Sequence, residues 1–314
     1  VRHDAAQRIF EEATSRPRRP RKPALIVLAG NIPALAVQPL LPALALRRPV
    51  LLKSPSAEPY FAATFVSALA RRLPALGDSL AALCWKGGEE GIEGPVLAAA
   101  GRILAYGEQE SIDDLRRRAP CPVVSYGPRF SLAVLGPGTR PDAVAEGLAR
   151  DIALFDQRGC LSVHAVYTAG DPRDLGEALA QALARRALSW PPGTRGVEEE
   201  AALRQELEAA HLRGLPVFEL PMGEGAVIVE EDTRLRPSPG LRLVRIHHLK
   251  RLEDLPPLLS PWRDQLQGAA LAAAASLQSP LAALGVSRFA APGELQSPDA
   301  TWHNGGIDPL DALD

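Results

Sequence analysis

Apolar and polar positions along the chain alternate between two rhythms. Residues 24–29, ALIVLA, form the short continuous apolar run of a strand buried on both faces, and VLLK at 50–53, ILAY at 103–106 and PVVSY at 122–126 read the same way. Between them FAATFVSALARRL, 61–73, carries helical spacing. A helix is also expected from about Pro33 to Leu46, kinked or interrupted by Pro39 and Pro42. From Ser131 the alternation restarts: SLAVLG predicts a strand, DAVAEGLARDIALF a helix and VHAVYT a strand. Long helices follow around 172–187 and 197–212, with strands at AVIVE and LRLVRI. The alanine-rich residues 263–277 read as a helix, and the proline-rich stretches at 190–193 and 256–261 as turns or linkers. Strands alternating with helices predict parallel sheets with helical crossovers, here in two α/β units without an internal repeat.

Composition narrows the function classes. With 314 residues, 46% of them hydrophobic, the chain has ample material for a sizeable core. A formal charge of −2 and the lack of a long basic stripe argue against a nucleic-acid partner. The exception is the cluster Arg16-Pro17-Arg18-Arg19-Pro20-Arg21-Lys22-Pro23, whose prolines forbid a continuous helix and which reads as a solvated linker after a short N-terminal helical stretch. No apolar run is long and charge-free enough to span a bilayer, and no signal-peptide core is present, so a cytoplasmic location is expected. Cys84, Cys121 and Cys160 are odd in number and widely spaced, which argues against a disulfide framework and against a Cys-x-x-Cys zinc site; no metal is expected. The chain begins at Val1, as a fragment or processed chain does.

Three short stretches carry candidate chemistry. FDQRGCLS, 155–162, places Cys160 in a loop between a helix and a strand. A buried cysteine packs as a small hydrophobe, whereas a nucleophile needs access and neighbours that favour the thiolate, which Gly159 and Arg158 are expected to supply. AGNIP, 29–33, follows the first strand, where ligands of open parallel sheets bind; Asn31 there is either an amide donor to a developing oxyanion or a turn residue ahead of Pro33. VLLKSPSAEP, 50–59, ends its strand on Lys53, one of four lysines, as a ribose or phosphate contact or as a surface lysine. Phosphate-loop, nucleophile-elbow and zinc-helix signatures are absent, and His247 and His248 would point to opposite faces of a strand.

Taken in order, these stretches resemble the aldehyde dehydrogenase superfamily. FDQRGCLS is similar to the cysteine loop of the LuxC-type acyl-CoA reductases, and SRFAAPGELQSPDATWHNGG, 287–306, to the ending of that group, including Trp302 and His303. The resemblance covers about residues 24 to 310. It implies an aldehyde dehydrogenase-like α/β fold with a Rossmann-type coenzyme domain over 1–126, N-terminally truncated relative to the family, an α/β catalytic domain over 127–286 and a C-terminal return segment over 287–314. It implies Cys160 as the nucleophile that takes an acyl group from an acyl-CoA or acyl-carrier thioester, with Asn31 and the Cys160 backbone N–H at the oxyanion. Gly30, Lys53, Ser54, Ser56 and Gly107 are the implied cofactor-binding residues. Lys53 would face the adenosine ribose. Ser56, where NAD-preferring relatives have a carboxylate, favours NADPH, with NADH the alternative. A homo-oligomer is implied as well.

Two departures matter. SYGPRF, 125–130, lacks the general-base glutamate of hydrolytic relatives, which favours thiol exchange over aldehyde oxidation, and Tyr126 stands where a histidine is usual in acyl-CoA reductases. A glutamate toward the nicotinamide ribose is likewise missing near LRPSPGLRL. The expectation is an NADPH-dependent reduction of a fatty acyl-thioester to an aldehyde. A cysteine acyltransferase or thioesterase without hydride transfer, and a non-catalytic partner subunit, stay open.

Overall fold

In the computed structural model, which describes residues 3–17 and 20–314, the apolar runs become strands flanked by helices. Val1, and Arg18 and Arg19 of the basic cluster, lie outside the described residues. The chain divides into two units, one of Val1–Pro128 with Asp299–Asp314 and one of Arg129–Pro298.

The first unit runs α1 (His3–Thr14), β1 (Ala24–Val27), α2 (Val37–Ala45), β2 (Val50–Ser54), α3 (Tyr60–Arg72), β3 (Leu80–Cys84), α4 (Glu90–Ala99), β4 (Arg102–Tyr106), α5 (Gln109–Arg118) and β5 (Val123–Tyr126). Its five strands are parallel in the order β3-β2-β1-β4-β5. Successive residues of a strand face opposite sides. Ile26, Leu52 and Leu104 therefore meet one apolar cluster with residues of α1, α2 and α3, while Leu25, Ile103 and Ala105 meet another with residues of α4 and α5. The chain winds outward from β1 to β3 and then returns to β4 on the other side. The crevice of such a sheet lies at that reversal, beyond the carboxyl ends of β1 and β4.

Neither proline interrupts the second helix. A short 3-10 turn, Pro33–Ala36, leads into α2; Pro39 falls in its first turn, where a backbone N–H has no helical acceptor to lose, and the helix continues through Pro42.

Two of the basic cluster's described arginines, Arg16 and Arg21, are not left to solvent as the linker expectation requires. Arg16 donates to Asp311 at 2.6 Å and Arg21 to Asp314 Oδ1 at 2.7 Å, while buried Arg48 donates to the Leu313 carbonyl. The acidic ending IDPLDALD supplies the partners, and charge-assisted pairs of this kind fix a segment in place.

The second unit runs β6 (Phe130–Leu135), α6 (Pro141–Ala153), β7 (Val163–Thr168), α7 (Pro172–Ser189), α8 (Val197–Leu212), β8 (Val217–Glu219), β9 (Ala226–Glu230), β10 (Leu243–His248), α9 (Leu255–Leu259), β11 (Leu266–Ala272), α10 (Gln278–Ala282) and β12 (Arg288–Ala290). Its strands order as β12-β11-β6-β7-β10-β9-β8, parallel except for the antiparallel pair β8–β9.

Three expectations change here. The alanine-rich residues 263–277 hold a strand, β11, between β12 and β6. Small residues let neighbours approach its backbone: a methyl on Gly268 would come within 2.9 Å of Ser131 Oγ and 3.0 Å of Leu295. Residues 256–261 form most of α9 and a following 3-10 turn, because prolines are tolerated at a helix start. The return segment also divides: residues up to Pro298 belong to the second unit and Asp299–Asp314 to the first, each part held by its own partners.

Candidate functional site

In the first unit the predicted residues gather at the carboxyl end of the sheet. The Leu28 N–H donates to the Lys53 carbonyl at 3.0 Å, and a methyl on Gly30 would lie 3.1 Å from Ala57 Cβ and 3.4 Å from Pro55 Cβ. The AGNIP turn therefore rests against the SPSA loop. Asn31 is exposed in that turn, Ser54 is buried, Ser56 is exposed, and Gly107 follows β4. Lys53 Nζ lies 5.2 Å above the ring of Trp85, at the end of β3, which anchors its charge at the rim. Glu58 accepts the Phe61 N–H at 2.9 Å and the Tyr60 N–H at 3.3 Å, two donors that the first turn of α3 leaves without helical partners. Tyr126 stacks on Tyr106 with ring centroids 4.6 Å apart.

The same end carries negative charge at two helix starts. Glu89 and Glu90 precede or begin α4, and Glu108 and Glu110 flank the start of α5. Glu93 accepts the Gly88 N–H and pairs with Arg118, each at 2.8 Å. Burial alone would raise the Glu93 carboxyl, yet Arg118 and the Gly88 N–H hold it below the usual range. A helix N-terminus favours an anion, and here the chain's own carboxylates supply one.

In the second unit Cys160 sits in a turn at the amino end of β7. Phe155, Asp156 and Gln157 all adopt left-handed backbone, with φ of 57°, 50° and 64°, a conformation that costs non-glycine residues energy and needs outside support. Support comes from buried side chains. Gln157 Nε2 donates to the carbonyls of Val163 at 2.7 Å and Leu243 at 2.8 Å. Asp156 accepts from Arg242 and, at 2.8 Å, from the Gly193 N–H. Beyond the turn, the Ser162 N–H donates to the Gly159 carbonyl at 2.9 Å and Ser131 Oγ to the Cys160 carbonyl at 2.9 Å.

Arg158 does not serve the thiol. Its Nη2 donates to Glu199 of α8 at 2.9 Å and to the Thr194 carbonyl at 3.3 Å, which directs the guanidinium toward α8. The cation that acts on Cys160 is Arg129. Cys160 is partly exposed, yet the protein around its sulfur is dense enough that desolvation pushes the thiol up to about 11; the N–H groups of Cys160 and Leu161, with Arg129, pull the other way without prevailing.

Ser131, Asp156, Arg242, Asp151 and Gln296 are supports that the sequence reading missed. For two of them a signal existed. Asp151 stands three residues after Leu148 within the apolar stripe of α6, and Arg242 within an apolar run, positions where a charged side chain is buried and paired. His247 is buried with Nδ1 2.7 Å from the Asp232 carbonyl, whereas His248 is exposed on the other face. Among the described residues no three His, Cys, Asp or Glu side chains converge as metal ligands, and no helix is long and apolar enough to cross a membrane.

Two parallel-sheet units, one presenting a crevice at a strand reversal and the other a cysteine turn, define the class. The fold is that of the aldehyde dehydrogenases: KauB of Pseudomonas aeruginosa superposes with a TM-score of 0.70 at 16% identity, over 94% of this chain and 65% of that one. The AldA indole-3-acetaldehyde dehydrogenase of P. syringae, a mutant in complex with NAD+ and IAA, gives 0.71 at 16% identity with the same coverage. Residues 8–314 match the family described as acyl-CoA reductase (LuxC), and the chain belongs to that family. A long-chain acyl-protein thioester reductase of Aliivibrio fischeri is 25% identical over 253 residues, 78% of this chain and 53% of that protein. A second, from Photobacterium leiognathi, is 28% identical over 189 residues, 58% of this chain and 40% of that protein. The chain thus spans about half the length of the curated relatives it matches.

Proposed function

We propose that the chain carries the chemistry of a fatty acyl-thioester reductase, with Cys160 as the nucleophile and NADPH as the reductant. The observation that carries the reading is the Cys160 turn: a left-handed, side-chain-braced loop that brings the N–H groups of Cys160 and Leu161 to the sulfur, where they offset part of the desolvation that pushes the thiol up to about 11. In the acylation step Cys160 Sγ attacks the thioester carbonyl carbon. The bond from that carbon to the CoA or carrier sulfur breaks, and the departing thiol takes up the proton that Cys160 gives up. Backbone N–H groups at the turn stabilise the developing oxyanion, and the reading gives Asn31 the part of a further amide donor. The acyl group of a long-chain acyl-protein thioester, the substrate in the names of the relatives, is the expected cargo.

The first unit fits a nicotinamide dinucleotide at its adenosine end. Lys53 stands at the rim, Ser56 brings no charge to the loop that follows, and the carboxylate of that loop, Glu58, accepts N–H groups at the start of α3, which supports a 2′-phosphate there. Lys53, Ser54, Ser56, Gly30 and Gly107 are the residues proposed to hold it. When bound, the dinucleotide supplies the hydride that brings the acyl carbon to the aldehyde level.

One observation favours a second reading. Carboxylates at the starts of α4 and α5 oppose a diphosphate, which suits an acyl-transfer protein that takes the acyl group and passes it to another thiol or to water. Intact mass after incubation with a long-chain acyl-CoA separates the two. An adduct that requires Cys160, absent in Cys160→Ala, and that is discharged as aldehyde on adding NADPH supports the reductase. Discharge indifferent to NADPH supports acyl transfer, and no adduct on folded wild type overturns both. A cytoplasmic location and self-association accompany the reading, the latter tested by sedimentation.

A further inference from the structure

The turn that carries Cys160 is gripped from outside by residues 293–296. Ser162 is fully buried, its N–H closes the turn on Gly159, and its carbonyl accepts the Ser131 N–H at 3.1 Å. Its hydroxyl accepts from Gln296 Nε2 at 2.8 Å. The same amide nitrogen gives its other proton to the Asp151 carbonyl at 3.1 Å. Gln296 cannot drift, because the segment that bears it is fastened to α6. Asp151, fully buried, accepts the Gly293 N–H at 2.6 Å and the Leu295 N–H at 3.2 Å. Gly147 and Gly293 let the two backbones touch: a methyl on Gly147 would sit 2.4 Å from the Pro292 carbonyl oxygen, and one on Gly293 2.9 Å from Gly147 Cα. On the apolar side Leu295 and Leu161 both lie against Gly268.

We propose that Gln296 is a positioning residue for the Cys160 turn: its amide, held by α6, pins Ser162 and so fixes the direction in which the thiol and its neighbouring N–H groups point. The inference rests on Cys160 being the nucleophile proposed above. Gln296 acts through Ser162 and touches no reacting atom. A thioester carbonyl has to meet sulfur and oxyanion donors together, and a small displacement of the turn separates them. A small alkylating agent needs only the thiolate. Releasing the turn therefore moves the two reactions in opposite directions, since a loosened turn admits water to the sulfur while losing the geometry for acyl transfer.

The test compares wild type, Gln296→Ala, Ser162→Ala and the double variant of the full chain, each checked for folding by circular dichroism. Two rates are read: alkylation of Cys160 by iodoacetamide, followed by peptide mass after digestion so that exposed Cys84 and partly exposed Cys121 are counted apart, and acylation by a long-chain acyl-CoA, followed by intact mass. Losing one buried hydrogen bond is expected to speed alkylation and slow acylation, each by roughly two- to tenfold. The double variant should match the single ones, because both break the same link. Both rates within twofold of wild type in a folded Gln296→Ala overturn the proposal, and so do single effects that add in the double variant. If Gln296→Ala fails to fold, Ser162→Ala decides on the same two rates. If wild type takes no acyl group, the nucleophile reading falls, and the alkylation rates alone still decide whether Gln296 holds the turn.

Discussion

Arg242 Nε donates to Asp156 Oδ1 at 2.8 Å, and both residues stand in left-handed backbone, at φ 61° and 50°. The pair joins two strained loops, one before Cys160 and one before β10, and Arg242 Nη2 continues the link to the Trp190 carbonyl at 2.8 Å. Arg242 is 1% exposed, so its charge depends on that carboxylate. Asp156→Ala leaves the guanidinium buried and unpaired and is expected to cost about 3–5 kcal/mol. Asp156→Asn keeps an acceptor and a residue type that tolerates left-handed backbone, so its loss should be clearly smaller. Denaturant midpoints of the two variants check the order, and equal losses would show that the pair does not support the turn.

A thiol pushed up to about 11 is ionised at pH 7 to roughly one part in ten thousand. Alkylation of Cys160 by iodoacetamide is therefore expected to rise about tenfold per pH unit from 7 toward 11. Arg129 is the cation acting on the sulfur, so Arg129→Ala should slow alkylation at pH 8 by roughly two- to fivefold. A profile already flat above pH 8 in wild type would mean that the sulfur is better solvated than its surroundings indicate.

The strands that a reader of the sequence finds easily are the ones buried on both faces, such as β1 and β6, where burial leaves a continuous apolar run. Those that escape lie at sheet edges or are built of small residues. β3, β8 and β12 border solvent or pair on one side only, and β11 is written in alanine and glycine because Ser131, Leu161 and Leu295 press against it. Local propensity favours a helix there, and tertiary packing overrides it. At the site, Cys160 and Lys53 stand out by composition and placement. Asp151 and Arg242 show only as charges set within apolar stretches, and Gln296 not at all, since the partners that give them their roles exist only once distant segments meet. Arg158, beside the cysteine in sequence, turns away to Glu199, which shows that adjacency along the chain says little about which charge a thiol feels.

Asp151 makes stability depend on pH in a direction unusual for a carboxylate. Desolvation outweighs the N–H groups of Gly293, Gln296 and Leu295 and raises it from 3.8 to about 6. The folded state therefore holds a proton that the unfolded chain has released between about pH 4 and 6. This group's contribution is fully present below about pH 4 and lost as pH rises through 6, on the order of 2–3 kcal/mol across that window. Asp151→Asn removes the titration. Denaturant midpoints at pH 4.5 and 7 should differ less in the variant than in wild type by that amount, and an unchanged difference would assign the pH dependence to other groups.

Two glycines in helices predict opposite outcomes for the same substitution. Gly94 in α4 is exposed, and a methyl there meets nothing within 4 Å. Alanine restricts the unfolded chain and adds helix propensity, so Gly94→Ala is expected to stabilise by about 0.5–1 kcal/mol. Gly147 in α6 faces the return segment, where the same methyl would stand 2.4 Å from the Pro292 carbonyl oxygen, closer than any side chain tolerates. Something must shift, and the neighbour is backbone. Gly147→Ala is expected to destabilise by more than about 2 kcal/mol, because helix and segment separate and the bonds of Asp151 to Gly293 and Leu295 loosen with them. Thermal midpoints of the two variants give the signs directly. Hydrogen exchange at the Gly293 and Leu295 amides, faster in Gly147→Ala and unaltered in Gly94→Ala, would locate the damage; protection retained there would mean that the helix yields elsewhere.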